Sequence, residues 1–154
     1  MSDHNHNASR VFLSFDFGMK HIGVAVGQAL TRSATPLVTL AAHDGIPKWG
    51  EIETLIHTWH PLHLIVGIPL QMDDSEQLMT HCARRFANRL FERFHLPIHT
   101  VDERLSSWEA EQQLKARNTK FTKPSAKKHK KQTAEVNALA AAILLEQWMR
   151  DNII

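Results

Sequence analysis

Asp16 and Glu103 are carboxylates placed where sheets of alternating strand and helix commonly bind ligands, at the ends of strands. The first closes the apolar run 11–17, just before Gly18, and the second follows the run 97–101 in the pair Asp102-Glu103. If those two strands are neighbours, the carboxylates converge. Like charges at short range repel, so one must protonate or a cation must enter. Mg²⁺ is the natural guest, because it takes hard oxygen ligands and accepts two or three carboxylates completed by water. A plainer role is open to each: Asp16 as a turn residue ahead of Gly18, and Glu103 as the local partner of Arg104.

A second group of residues points to a polyanion. Arg117, Lys120, Lys123, Lys127, Lys128, Lys130 and Lys131 all fall between Ala116 and Ala134, with no acidic residue among them. A segment of this kind contacts phosphates, although a solvated loop has the same composition. Ser106 and Ser107, beyond Glu103, can add hydrogen bonds to a substrate, but capping a helix explains them more simply. His57, His60 and His63 recur at steps of three, yet Pro61 interrupts the helix between them and no cysteine ligand is available, which argues against zinc. Trp49, Trp59, Trp108 and Trp148 lie in amphipathic stretches, where packing is a better role than stacking on bases.

The elements that must position these groups follow from periodicity. The run 11–17 and the run 22–27 read as a hairpin turned at Gly18, and residues 36–40 form a third strand ended by Asp44-Gly45. Trp49, Ile52, Leu55, Ile56 and Trp59 recur at helical spacing until Pro61, and residues 63–67 form a strand buried on both faces. Leu78, Cys82, Phe86, Leu90 and Phe94 mark a long helix opened by Asp74 or Ser75. After the strand at 97–101, a helix capped by Ser106 or Ser107 runs to Leu114, then the basic segment forms a loop, and a final helix runs from about Thr133 to Met149. This order predicts an α/β fold, a mixed five-stranded sheet with helices on both faces, in one domain over residues 11–154 behind a polar tail at 1–10.

Composition sets the bounds. At 154 residues the chain is the size of one domain; such a domain buries about two thirds of the surface of its unfolded chain. An apolar fraction of 43% and a charged fraction of 22% are ordinary for a globular protein. A single cysteine, Cys82, cannot form an internal disulfide and suits a buried thiol in a reducing compartment, so a cytoplasmic protein is expected. No apolar run reaches membrane-spanning length, and the first residues lack the apolar core of a signal peptide. A net charge of +2 is only weakly basic, so the distribution of cations carries more information than their sum.

Three blocks carry a resemblance. Phe15-Asp16-Phe17-Gly18-Met19-Lys20-His21-Ile22-Gly23-Val24-Ala25-Val26, then Val66-Gly67-Ile68-Pro69-Leu70-Gln71-Met72-Asp73, then Val101-Asp102-Glu103-Arg104-Leu105-Ser106, resemble in order and spacing the signature blocks of the YqgF family. That family is similar to Holliday junction resolvases, has a ribonuclease H-like fold and is associated with processing the 5′ end of pre-16S ribosomal RNA in ribosome biogenesis. The opening hairpin also resembles that of sugar kinases and actin-like ATPases. Those proteins need two such domains and a second phosphate loop, for which this chain is too short.

The resemblance implies a hydrolase, a nuclease cutting phosphodiester bonds with one or two Mg²⁺, or Mn²⁺ in its place. Asp16 and Glu103 match the first two catalytic, metal-binding carboxylates. The third should be an aspartate in the last helix, where this sequence has Asn137, whose amide oxygen can ligate a metal but brings no charge. Glu135 and Glu146 lie on the opposite side of a regular helix from residue 137 and do not replace it. His21 stands where an arginine is usual, and Asp74 where a glycine is. Lys20, Arg104 and the basic residues from Arg117 to Lys131 would hold phosphates. The implied partner is precursor ribosomal RNA, or alternatively branched DNA, and a third expectation is a binding module that has lost turnover through Asn137.

Overall fold

Alternation of apolar residues in the first block makes a hairpin. In the computed structural model, which describes residues 10–68, 74–102 and 126–153, β1 (Val11–Asp16) pairs antiparallel with β2 (His21–Gln28), from Val11 opposite Gln28 to Asp16 opposite Gly23. β3 (Ser33–His43) continues the antiparallel meander and is longer than its apolar centre suggests. Asp44 and Gly45 both take positive φ, 50° and 79°, and reverse the chain into β4, only Ile46–Pro47. That short strand pairs with Ala42 and His43 and makes the sheet six-stranded where five strands were expected.

α1 (Trp49–Trp59) leads into β5 (His63–Ile68), and α2 (Asp74–Phe94) into β6 (Ile98–Asp102). β5 lies parallel to β1, and β6 parallel to β5, giving the order β4-β3-β2-β1-β5-β6. The carboxyl ends of β1, β5 and β6 therefore share one edge. β5 has buried residues from Leu64 to Ile68, as expected of a strand covered on both faces.

The two faces divide by parity. Leu13 and Phe15 join Ile22, Val24, Leu64 and Val66 in the core under α1 and α2, where Ile52, Phe86 and Leu90 complete it. The spaced residues of α2 are not equally covered: Phe86 and Leu90 are buried, Cys82 is half-buried, and Leu78 is exposed. Four residues advance about 400° around a helix, so a strict step of four drifts off the buried side.

Phe12 and Ser14 face the other way, toward α3 (Ala126–Asn152). This helix begins before the expected Thr133, so the backbone of Lys127, Lys128, Lys130 and Lys131 is helical and not a loop. Lysine, alanine and glutamine are good helix formers, and no proline or glycine follows Pro124 to interrupt them. Against β2, α3 packs closely over small residues. Ala25 meets Ala141 and Ala142, and a Cβ on Gly27 would come within 2.8 Å of Leu145 Cδ2. The Ser14 hydroxyl donates to the Ala141 carbonyl at 2.6 Å, pinning the helix to β1. Farther along, Trp148 is buried edge-on to Phe12, with ring centres 5.4 Å apart. The helix expected after Ser106 or Ser107, with Trp108, lies outside the described residues, as does the tail at 1–9.

Candidate functional site

Asp16 ends β1 and is only 7% exposed. Its parity with Phe12 and Ser14 aims it at the α3 side of the sheet. Its register partners are Gly23 on β2 and Gly67 on β5. Directly opposed residues of neighbouring strands place their side chains side by side, so with glycine on both flanks the two paired strand positions put no side chain of their own against this carboxylate.

α3 approaches the same place. A Cβ on Gly23 would collide with the carbonyl group of Asn137, which sets the backbone of Asn137 directly over the residue paired with Asp16. Asn137 is half-buried there. Glu135 is exposed, and the Glu146 carboxylate accepts a hydrogen bond from the Ala34 backbone N–H at 3.1 Å, tying it to β3. Thus the helix brings Asn137, and neither of its nearby glutamates, to the level of Asp16.

β6 reaches the same edge, but it is not the neighbour of β1 that the sequence reading supposed: β5 lies between them. Gly67, beside Asp16, pairs with Val101, and Ile68 pairs with Asp102, the last residue of the strand. Glu103, Arg104, Arg117, Lys120 and Lys123 lie outside the described residues. Lys20 is exposed in the turn between β1 and β2, close in sequence to Asp16. Lys127, Lys128, Lys130 and Lys131 occupy the stretch of α3 that runs into Asn137.

The histidines are distributed otherwise. His57 lies on α1, His60 caps it in a left-handed conformation with φ 47°, and His63 opens β5. His63 Nδ1 lies 2.8 Å from His99 Nε2, at the amino ends of β5 and β6 and so at the opposite end of the strands from Asp16. Burial lowers the pKa of both imidazoles, and for His63 the charges of His99 and Arg10 push in the same direction. Among the described residues no three of the types His, Cys, Asp and Glu gather to hold a metal. Asp16, with the amide oxygen that Asn137 can offer, is an all-oxygen donor set, which fits a hard cation better than zinc.

Sequence reasoning named Asp16 and Asn137 as candidates but passed over the glycines beside Asp16. Gly23 and Gly67 read only as strand residues, although glycine inside a strand marks close approach of another backbone or a ligand.

Comparison with known proteins gives a consistent result. The family model described as "RuvX: Holliday junction resolvase" matches residues 10–151. A protein of Legionella pneumophila named "Putative pre-16S rRNA nuclease" is 50% identical over 142 residues, covering 92% of this chain and 96% of that protein. A protein of Coxiella burnetii with the same name is 45% identical over 145 residues, covering 94% and 96%. Among solved structures, Thermus thermophilus RuvC in complex with a Holliday junction substrate aligns with a TM-score of 0.54 at 15% identity, covering 94% of this chain and 96% of that one. The Fowlpox virus resolvase bound to Holliday junction DNA aligns at 0.56 with 10% identity, covering 94% and 99%. At such identities the likeness is one of fold, and it makes this sheet ribonuclease H-like.

Proposed function

The chain belongs to the RuvX family of Holliday junction resolvases, and on that premise we propose that it is a metal-dependent nuclease that hydrolyses phosphodiester bonds in structured nucleic acid, with the 5′ end of pre-16S ribosomal RNA as its substrate. The observation that carries this reading is Asp16: a buried carboxylate at the edge where three parallel strands end, flanked by two glycines and overlain by Asn137. The names of the curated relatives favour the ribosomal substrate.

Asp16 anchors the cation, Glu103 supplies the second carboxylate, and Asn137 contributes a weaker oxygen. What supports Glu103 is its place in the chain, directly after Asp102, and the fact that His99 and Val101 both contact the α3 side of the sheet. A bound Mg²⁺ or Mn²⁺ supplies activation of water and stabilisation of the leaving oxygen. Lys20, Arg104 and the basic residues from Arg117 to Lys131 hold phosphates on either side of the scissile bond and set the register of the strand. The work is done in the cytoplasm, where precursor ribosomal RNA is found.

Asn137 favours a second reading, a module of the same fold that grips nucleic acid and turns over slowly. One experiment separates these. Purified protein and its Asp16→Asn variant are incubated with labelled precursor 16S RNA and with a labelled four-way DNA junction, with and without Mg²⁺ or Mn²⁺. Metal-dependent cleavage of the RNA, lost in the variant, is expected. Cleavage of the junction alone makes the protein a DNA resolvase, and binding without cleavage makes it the weakened module. Cleavage that survives Asp16→Asn overturns the proposed site.

A further inference from the structure

The half of α2 from His81 to Arg93 carries Arg84, Arg85, Arg89 and Arg93 against a single acid, Glu92. Arg85, Arg89 and Arg93 recur at steps of four, so they form one row along the helix. Arg85 and Arg93 are exposed and Arg89 is half-buried. None of the three forms an ion pair among the described residues; the carboxylate of the nearby Asp44 lies 3.6 Å from His43 Nε2. One end of the row is held in place. The Arg93 guanidinium lies 4.4 Å from the centre of the Trp49 ring, and Trp49 is stacked on Phe86 with ring centres 5.7 Å apart.

Arg85 and Arg89 line a small notch together with Asp44, Gly45 and Trp49. Its volume of about 30 Å³ has room for roughly two waters, so it does not admit a base or a sugar. Whatever the arginines bind must stay outside and present a charged group to them. The notch is joined to the candidate site. The Gly45 N–H donates to the Met19 carbonyl at 2.9 Å, and the Ala42 N–H to the Lys20 carbonyl at 2.8 Å, which fastens the β3–β4 turn to the turn that follows Asp16. α2 starts after β5, at the Asp16 edge, and runs back toward the start of β6, so Arg85 is nearest that edge and Arg93 farthest.

We propose that Arg85, Arg89 and Arg93 form a second phosphate-binding track, which holds the nucleic-acid backbone where it leaves the Asp16 edge and crosses α2. The track rests on the nuclease reading for its occupant. Eight residues of helix rise about 12 Å, while one strand of a duplex carries a phosphate every 3.4 Å or so along its axis, so the row faces roughly three or four phosphates. Guanidinium groups suit such contacts because their paired N–H donors match two phosphate oxygens. The track is separate from the basic segment near Asn137, since α2 covers the opposite face of the sheet from α3. A substrate bound by both wraps the edge of the sheet.

The test compares the full chain with Arg85→Gln/Arg89→Gln and Arg85→Lys/Arg89→Lys, leaving Arg93 on Trp49. Binding of a labelled stem-loop RNA and of a labelled four-way DNA junction is measured against salt in EDTA, so that cleavage does not intervene, and a thermal melt confirms folding. The glutamine pair is expected to flatten the plot of log K against log salt by about 1.4 to 1.8 units, two contacts at 0.7 to 0.9 each. The lysine pair should keep most of that slope. A glutamine pair that binds with the parent's slope overturns the track and leaves the nuclease reading standing. A flattened slope in a protein that then cuts neither probe with metal keeps the track and removes the nuclease. Failure of the parent to bind either probe removes both.

Discussion

The backbone carbonyl of Asn137 lies against Gly23 so closely that no methyl group could stand between them. Gly23 is in turn the strand partner of Asp16. The position of the last helix is thus set by contact with the residue beside the buried carboxylate, and it places residue 137 at the level of Asp16.

This contact makes Asn137→Asp the most informative substitution. It changes almost no volume and adds a negative charge beside the proposed cation. Mg²⁺ binding should tighten and cleavage should rise on the order of tenfold or more. Without metal the added charge repels Asp16, so the apo variant should melt below the parent. Cleavage rates and melting temperatures with and without Mg²⁺ measure both effects. A variant with parental Mg²⁺ affinity and parental rate would place residue 137 outside the site.

Mg²⁺ should stabilise the parent by binding the folded state alone, by about 2.7 kcal/mol when its concentration is a hundred times Kd. Asp16→Asn and Glu103→Gln should each lose most of that gain. Differential scanning calorimetry across a Mg²⁺ series measures it, and equal shifts in all three proteins would contradict the assignment of both carboxylates as ligands.

Gly23→Ala and Gly27→Ala should differ. At Gly23 the new methyl meets backbone, which can yield only if the helix moves; at Gly27 it meets Leu145 Cδ2 and Met149 Cε, the ends of flexible side chains. Overpacking costs about 1–3 kcal/mol, with Gly23→Ala at or above the top of that range and Gly27→Ala near the bottom. Urea denaturation resolves the two. Gly23→Ala should also slow cleavage, because it lifts residue 137 away from Asp16.

Acid should destabilise the fold through His63 and His99. Burial holds both imidazoles below their ordinary value, and their mutual hydrogen bond requires one nitrogen without a proton. An unfolded histidine titrates near 6.5; below that pH the unfolded chain therefore takes up protons that the folded chain still refuses. This contribution is complete above about pH 6.5 and is lost as pH falls through the lowered folded values. The melting temperature should drop as pH falls below about 6.5, and His99→Gln should drop less. Identical pH profiles would assign the acid sensitivity to other groups.

Much of this was legible in the sequence, for identifiable reasons. β1, β2, β5 and β6 declared themselves because runs such as residues 63–67 are short, apolar and bounded by turn signals. Asp16 was legible as a carboxylate at a strand end. The start of α3 was not, since lysines such as Lys127 and Lys130 suit a loop and an exposed helix equally, and charge alone does not choose between them. β4 was missed because Ile46–Pro47 is too short to show a period. The arginine row on α2 was hidden in a helix recognised by its apolar side, and only Trp49 stacked beneath Arg93 shows which way that row faces.

The bond from Ser14 to Ala141 joins residues 127 positions apart. Contacts of such separation close late, because the entropy of bringing distant segments together must be met before they give any return. A nascent chain that has emerged as far as β6 holds Asp16 on a sheet face that α3 does not yet cover. The approach of residue 137 to the level of Asp16 therefore arrives with the docking of α3 and not with the synthesis of Asp16, and a partly made chain lacks it while it is still attached to a ribosome.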